Sequence, residues 1–142
     1  MTNAPSTAEV LLAIGLDAAD IPRIDEAIRR WGARFLHRVF TSGEIAYCTR
    51  RRLAAPSFAA RFAAKEAAMK ALGTGHSRGV LWKDIEVVGQ GGPPELRFHG
   101  AAAQRFEWLG ARRSLVTLTH SDVLALAQVA LLGDSPSAGA PR

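Results

Sequence analysis

Glu66 and Lys70 stand four residues apart in Arg61-Phe62-Ala63-Ala64-Lys65-Glu66-Ala67-Ala68-Met69-Lys70, a segment without a helix breaker. At about 100° per residue, Phe62, Glu66, Met69, Lys70 and Gly73 share one helix face, so Glu66 is expected among apolar neighbours. Burying a carboxylate there is costly unless a cation or hydrogen bonds offset it. One reading pairs Glu66 with Lys70 in the favourable Glu-to-Lys order, worth about 0.3–0.5 kcal/mol when exposed. The other lets Glu66 share a divalent cation with Asp17 and leaves Lys70 for a phosphate. Asp17 follows Val10–Leu16, an apolar run that reads as a buried strand, and strand ends commonly present functional groups. Asp17 could instead cap a helix, but Asp20, directly before Ile21-Pro22, is better placed for that. Two carboxylates completed by substrate phosphates and water suit Mg²⁺, which keeps octahedral oxygen ligation.

Gly73-Thr74-Gly75 follows the same helix. It could merely end it, or let backbone approach a phosphate closely. It is not a Walker loop, because no Lys-Ser/Thr pair leads from the glycines into a helix. His120 closes the run Leu115–His120 at a hairpin turn, where a histidine is either solvated or functional. His37, His76 and His99 fall in no recognisable pattern. The single cysteine, Cys48, excludes an internal disulfide and a cysteine-cluster metal site, reads as a helix packing residue, and fits a reducing cytoplasm.

The elements that must position these groups alternate in type. A strand over Val10–Leu16 is followed by a helix from Ile21 to about Arg30, capped by Asp20, with Ile21, Ile24 and Ile28 on one face. Arg34–Phe40 is a second helical stretch, and Thr41-Ser42-Gly43-Glu44 resembles a capping box opening a third over Ile45–Leu53. Ser57 can cap a long helix, Phe58–Leu72, that Gly73 stops. Trp82–Val88 and Glu95–Phe98 read as strands around a Gly-Pro turn, Ala101–Leu109 as a helix, and Ser114–His120 with Val123–Leu132 as a hairpin. The pattern predicts an α+β fold: one compact domain over 9–133, a mainly antiparallel sheet packed by helices, and flexible tails at 1–8 and 134–142.

The 142 residues carry 18 Lys and Arg against 13 Asp and Glu, a net +5, so an anionic partner is expected unless the arginines merely reflect codon usage. Arg23, Arg29, Arg30, Arg34 and Arg38 cluster in one stretch and Arg50–Arg52 in another. No apolar run is long enough to span a membrane, and the N-terminus does not read as a secretory signal. A basic nucleic-acid-binding module would explain the charge. It would leave Glu66 and Asp17 unexplained, and the chain lacks the aromatic strand or recognition-helix signature of such binders.

Taken in order, these segments resemble the holo-acyl-carrier-protein synthases, the small bacterial phosphopantetheinyl transferases. The resemblance rests on Ile14-Gly15-Leu16-Asp17 with Asp20 and Arg23-Ile24, on Arg34-Phe35-Leu36 through Val39-Phe40-Thr41 and Glu44, and on Arg61–Ala67 with Lys70–Gly75. Asp84–Val87 and Thr117–Ser121 extend it, so that it covers about residues 12–131. Ala13 stands where the family often has Gly, and Leu118-Thr119-His120-Ser121 replaces a frequent Ser-His-Thr ending. The resemblance implies transfer of the 4′-phosphopantetheine arm of coenzyme A to a serine of an acyl carrier protein, releasing adenosine 3′,5′-bisphosphate. It implies Mg²⁺ on Asp17 and Glu66, and Lys70 on the pyrophosphate. It also implies Arg61, Gly73-Thr74-Gly75 and His120 on the nucleotide end, and a homotrimer with sites shared between subunits. Acyl carrier proteins are strongly acidic, which makes Arg23, Arg29 and Arg30 a docking surface; no nucleic acid or membrane is then needed to explain the charge. The acceptor of the serine proton stays open between Glu66 and a water on the metal.

Overall fold

In the computed structural model, which describes residues 8–89 and 92–135, Asp20 closes β1 (Val10–Asp20) and caps α1 (Ile21–Trp31). Its carboxylate accepts the N–H of Arg23 at 3.1 Å, and Pro22 occupies the first turn, where its missing N–H costs nothing. α2 (Ala33–Val39) and α3 (Ser42–Thr49) follow. The capping box forms as its residues predict: Thr41 accepts from the N–H of Glu44 at 3.2 Å, and Glu44 from that of Thr41 at 2.9 Å. α4 (Ala54–Leu72) leads through a 3₁₀ turn (Trp82–Asp84) to the hairpin of β2 (Ile85–Val88) and β3 (Glu95–Phe98). α5 (Gly100–Trp108), β4 (Ala111–His120) and β5 (Leu124–Gly133) complete the order.

The fold is α+β, with β5 central in a three-stranded antiparallel sheet ordered β1-β5-β4 and β2-β3 forming a second, two-stranded antiparallel sheet. α4 lies across one face of the larger sheet. Its alanines (Ala59, Ala60, Ala63, Ala64, Ala67, Ala68, Ala71) are buried, as are the inward residues Ala125, Ala127, Val129 and Leu131 of β5. Small side chains on both sides let the two layers approach closely. Gly15 sets the limit: a Cβ there would stand 1.8 Å from the carbonyl oxygen of Ala67.

Four local readings are corrected. β1 is neither buried nor finished at Asp17: it is an edge strand that runs to Asp20, with Leu11, Ile14 and Leu16 exposed on the face away from α4. An apolar run alone cannot distinguish a buried strand from an edge strand whose apolar face awaits a partner. α4 starts at Ala54 with no side-chain cap, and Ser57 instead donates its hydroxyl to Cys48 Sγ at 3.2 Å. Cys48 is the buried packing residue expected of it, its thiol pushed up by burial. Trp82–Asp84 is a 3₁₀ turn rather than strand, held by the Leu81 N–H on Asp84 Oδ2 at 2.9 Å. Asp134, assigned to a loose tail, is tied back: its N–H reaches Gly110 O at 3.2 Å and its carboxylate faces Arg112 at 3.3 Å. Ala8 and Ser135 are exposed and outside any helix or strand, and residues 1–7 and 136–142 of the assigned tails lie outside the described residues.

Under α4 sits a buried ion pair that spacing does not reveal. Lys65 Nζ is 2.7 Å from Glu44 Oε1 and donates to the carbonyl of Trp82 at 3.2 Å, both side chains being fully enclosed. Glu44 Oε2 accepts the N–H of Val87 at 2.9 Å. One pair thus joins α3, α4, the 3₁₀ turn and β2, and every charge in it has partners, which such burial requires.

Candidate active site

The face of α4 carrying Glu66 is not an apolar one. Most of the helix is buried; Phe62, Glu66, Lys70 and, just past its end, Gly73 form the stripe that reaches solvent. Glu66 therefore sits at a rim, its side chain 30% exposed, rather than embedded. The periodicity grouped Phe62, Glu66, Lys70 and Gly73 as the structure does, but Met69, placed with them, is buried, and the environment assigned was wrong, because an Ala-rich helix buried on its other faces leaves only one face for polar work.

Close packing of β1 on α4 at Gly15 brings Asp17, two residues on, over this stripe. Lys70 Nζ donates to Asp17 Oδ1 at 2.8 Å and to the carbonyl of Leu16 at 3.0 Å. Asp17 Oδ2 is buried and has no hydrogen-bond partner among the described residues. Glu66 faces Asp17, and its pKa is pushed up to about 7 by burial first, then by the adjacent Asp17 carboxylate, with Lys70 opposing. The ammonium of Lys70 is held above its usual range mainly by its hydrogen bond to Asp17.

Two carboxyls that repel each other, one carrying an oxygen without a donor, fit a divalent cation. The set suits a hard, oxygen-loving ion. Among the described residues no third His, Cys, Asp or Glu completes a cluster around a metal, so further ligands would come from substrate and water. His76, which no spacing pattern flagged, adjoins the pair: its Nε2 lies 3.9 Å from Glu66 Oε1, and its ring packs 4.4 Å from that of Trp82.

Gly73 takes the left-handed conformation that ends α4, with φ 73°, one turn beyond Lys70. Thr74 is buried, its N–H bonded to Met69 O at 3.2 Å, and a Cβ on Gly75 would meet nothing within 4 Å. Arg105 Nε, another residue the sequence did not point to, caps the carbonyl of Leu72 at 2.9 Å beside this loop.

Arg61 and His120 line one cavity of about 740 Å³ together with Tyr47, Arg51, Arg52 and Ser57. The Arg61 guanidinium stacks 4.0 Å from the Tyr47 ring, donates to Ser57 Oγ at 3.2 Å, and keeps a buried Nε without an acceptor among the described residues. Within one chain this cavity is separate from the Gly73-Thr74-Gly75 loop: Gly73 is twelve positions beyond Arg61 along α4, a rise of about 18 Å. It is also apart from Asp17, since β1 and β4 are the outer strands of the sheet and β5 separates them.

Arg23, Arg29 and Arg30 are exposed on α1, with Arg29 3.6 Å from Asp25 and Arg30 stacked 5.0 Å over Trp31. Arg34 and Arg38 line a further groove of about 430 Å³ with Trp31 and Phe35, extending this basic surface onto α2. Among the described residues no helix is long and apolar enough to cross a membrane.

Residues 13–124 match the model of the 4′-phosphopantetheinyl transferase superfamily. A holo-[acyl-carrier-protein] synthase of Koribacter versatilis is 49% identical over 123 residues, 86% of this chain and 98% of that protein. The crystal structure of the Neisseria meningitidis holo-[acyl-carrier-protein] synthase superposes with a TM-score of 0.78 at 28% identity, covering 86% of this chain and 98% of that one. That of Helicobacter pylori, in complex with coenzyme A, gives 0.73 at 26% identity, over 83% and 98%.

Proposed function

The chain belongs to the 4′-phosphopantetheinyl transferase superfamily, and from that premise we propose that it acts as a holo-acyl-carrier-protein synthase whose chemistry centres on Asp17, Glu66 and Lys70. It is a transferase that moves the phosphopantetheine arm of coenzyme A onto a serine of apo-acyl carrier protein and releases adenosine 3′,5′-bisphosphate. The observation that carries the residue assignment is the buried, unpartnered Oδ2 of Asp17 facing Glu66 beside Lys70.

The reaction breaks one phosphoanhydride bond and needs charge neutralisation more than covalent help. Asp17 and Glu66 would hold Mg²⁺, which when bound supplies positive charge to the pyrophosphate oxygens. Lys70, half-exposed at the rim, can turn from Asp17 to a phosphate oxygen and stabilise the charge left on the departing bisphosphate. The nucleophile is the carrier's serine; Cys48 is buried and takes no part. Arg61 and His120 are assigned to the nucleotide end, the backbone of Gly73-Thr74-Gly75 to a phosphate, and Arg23, Arg29 and Arg30 to the acidic carrier protein.

A homotrimer with shared sites is part of this reading. Two observations favour it: the cavity of Arg61 and His120 stands apart from the carboxyl pair within one chain, and the sheet face opposite α4 is apolar and open. Ile14 and Leu16 are each 59% exposed there, and Ile14 shares a register row with Ala130 and Leu115, itself exposed. The direct test incubates the protein with coenzyme A, an apo-acyl carrier protein and Mg²⁺ or EDTA, and weighs the carrier. A phosphopantetheine mass gain that EDTA abolishes is the expected result; no gain with Mg²⁺ present overturns the assignment.

A further inference from the structure

Beside the carboxyl pair, three rings form a continuous partly exposed surface. Trp82 stacks on Phe62 with centroids 4.7 Å apart and planes 27° from parallel, and His76 packs 4.4 Å from Trp82. Phe62 precedes Glu66 by one turn on the same stripe of α4, and His76 Nε2 is 3.9 Å from Glu66 Oε1. The two ends of the row thus adjoin Glu66, Phe62 one helical turn before it and His76 beside its carboxylate. Phe62 and Trp82 pack against the core on their inner sides, but neither is fully enclosed, and His76 and the neighbouring Leu81 are exposed, so the outer side of the row is open to a ligand. They are nonetheless fixed: the enclosed Lys65 donates to the carbonyl of Trp82, anchoring the 3₁₀ turn that carries the indole.

We propose that Phe62, Trp82 and His76 form a binding subsite for the pantoyl part of the arm being transferred. The inference rests on the reaction proposed above and names what holds its apolar end. In coenzyme A the carbon chain on the reacting phosphate begins with a methylene, followed at once by a quaternary carbon bearing two methyl groups. A phosphate held at Asp17, Glu66 and Lys70 would bring those methyls within reach of the apolar surface adjoining Glu66, which is this row of rings. Adenine also stacks on aromatic rings, but it is separated from the reacting phosphate by the second phosphate and the ribose. Rigid rings lose little freedom on contact, so the subsite contributes affinity at small entropic cost.

The experiment is calorimetric titration, with Mg²⁺ present, of coenzyme A and separately of adenosine 3′,5′-bisphosphate into wild type, Trp82→Ala, Trp82→Leu and His76→Ala. Carrier transfer is measured in parallel. Trp82→Ala should weaken coenzyme A about tenfold while leaving the bisphosphate, which lacks the arm, nearly unchanged. Trp82→Leu, which keeps apolar volume and fills the turn if the alanine variant unfolds, should lose less. His76→Ala removes an exposed ring and should show the same selectivity in weaker form. Equal losses for both ligands would assign the rings to adenine or to folding, and no loss would leave them without a ligand; either overturns the subsite. A higher KM for the carrier with unchanged coenzyme A affinity would assign them to docking and overturn it as well. If wild type transfers the arm and only the selectivity is missing, the subsite fails and the transferase reading stands. If wild type binds no coenzyme A, both fail.

Discussion

Lys70 Nζ holds one oxygen of Asp17 at 2.8 Å while the other, Oδ2, lies buried beside Glu66 with no donor among the described residues. Asp17 is thus half-neutralised in the protein alone. An added cation would complete its coordination and allow Lys70 to serve a second anion. Asp17→Asn and Glu66→Gln should each lower kcat by orders of magnitude with the fold retained. In both, the rise in melting temperature that Mg²⁺ gives wild type should disappear. Near-normal turnover of both variants at saturating Mg²⁺ would remove these residues from the metal site.

The raised pKa of Glu66 makes a signed statement about stability. In metal-free protein Glu66 keeps its proton up to about pH 7, whereas the unfolded chain releases it near the ordinary value of 4.5. Between those values the unfolded state binds fewer protons, so stability falls as pH rises across the window and levels off above it. Urea midpoints in EDTA from pH 4.5 to 8 should follow that course, and Glu66→Gln should flatten it. Because a cation competes with this proton, stabilisation by Mg²⁺ should grow over the same range. A wild-type profile in EDTA that rises between pH 5 and 7 would contradict the assignment.

The enclosed Lys65–Glu44 pair predicts an asymmetry between single and double variants. Lys65→Met leaves the Glu44 carboxylate buried with two backbone N–H donors and no cation, a loss of about 3–5 kcal/mol. Glu44→Gln combined with Lys65→Met removes both charges and should cost clearly less than Lys65→Met alone. Chemical denaturation of the three proteins checks it, and additive losses would mean that the two side chains act independently.

How far the sequence could be read follows from the range of the forces involved. Asp20 and Thr41–Glu44 cap their helices as predicted because a cap is decided within four residues. Glu66 and Lys70 on one stripe of α4 follow from periodicity alone. The environment of that stripe does not, since it depends on β1 packing against Ala67 through Gly15. The partner of Lys65 was equally hidden: twenty-one residues separate it from Glu44, whose local capping role gave no hint of a second, buried one. His76 carried no pattern because its partners, Trp82 and Glu66, belong to different elements. The edge position of β1 is a property of sheet order, on which the run Val10–Leu16 is silent.

An open apolar sheet face predicts assembly. If Ile14 and Leu16 are covered by a neighbouring subunit, sedimentation should give a trimer, and Leu16→Lys should dissociate it. Loss of activity should accompany dissociation, since the cavity of Arg61 and His120 would then lack the carboxyl pair of a neighbour. A fully active wild-type monomer at low concentration would rule out shared sites.

Docking and chemistry should separate cleanly between Arg23 and Lys70. Arg23 opens α1 six residues after Asp17, and its exposed guanidinium forms no ion pair among the described residues. A carrier protein bound along α1 would therefore present its serine near the carboxyl pair. Arg23→Glu, alone or with Arg29→Glu, should raise KM for the carrier and leave coenzyme A affinity nearly unchanged. A reversed rim charge acts mainly on association, so the defect should shrink as salt rises and the Debye length falls to about 3 Å at 1 M. Lys70→Ala should do the opposite, losing turnover while keeping carrier affinity, because its contact strengthens as charge develops on the leaving phosphate. Both effects are read from initial rates at varied carrier, coenzyme A and salt concentrations. Equal loss of carrier binding in both variants would mean that α1 is not the docking face, and the net charge of +5 would then require another anionic partner.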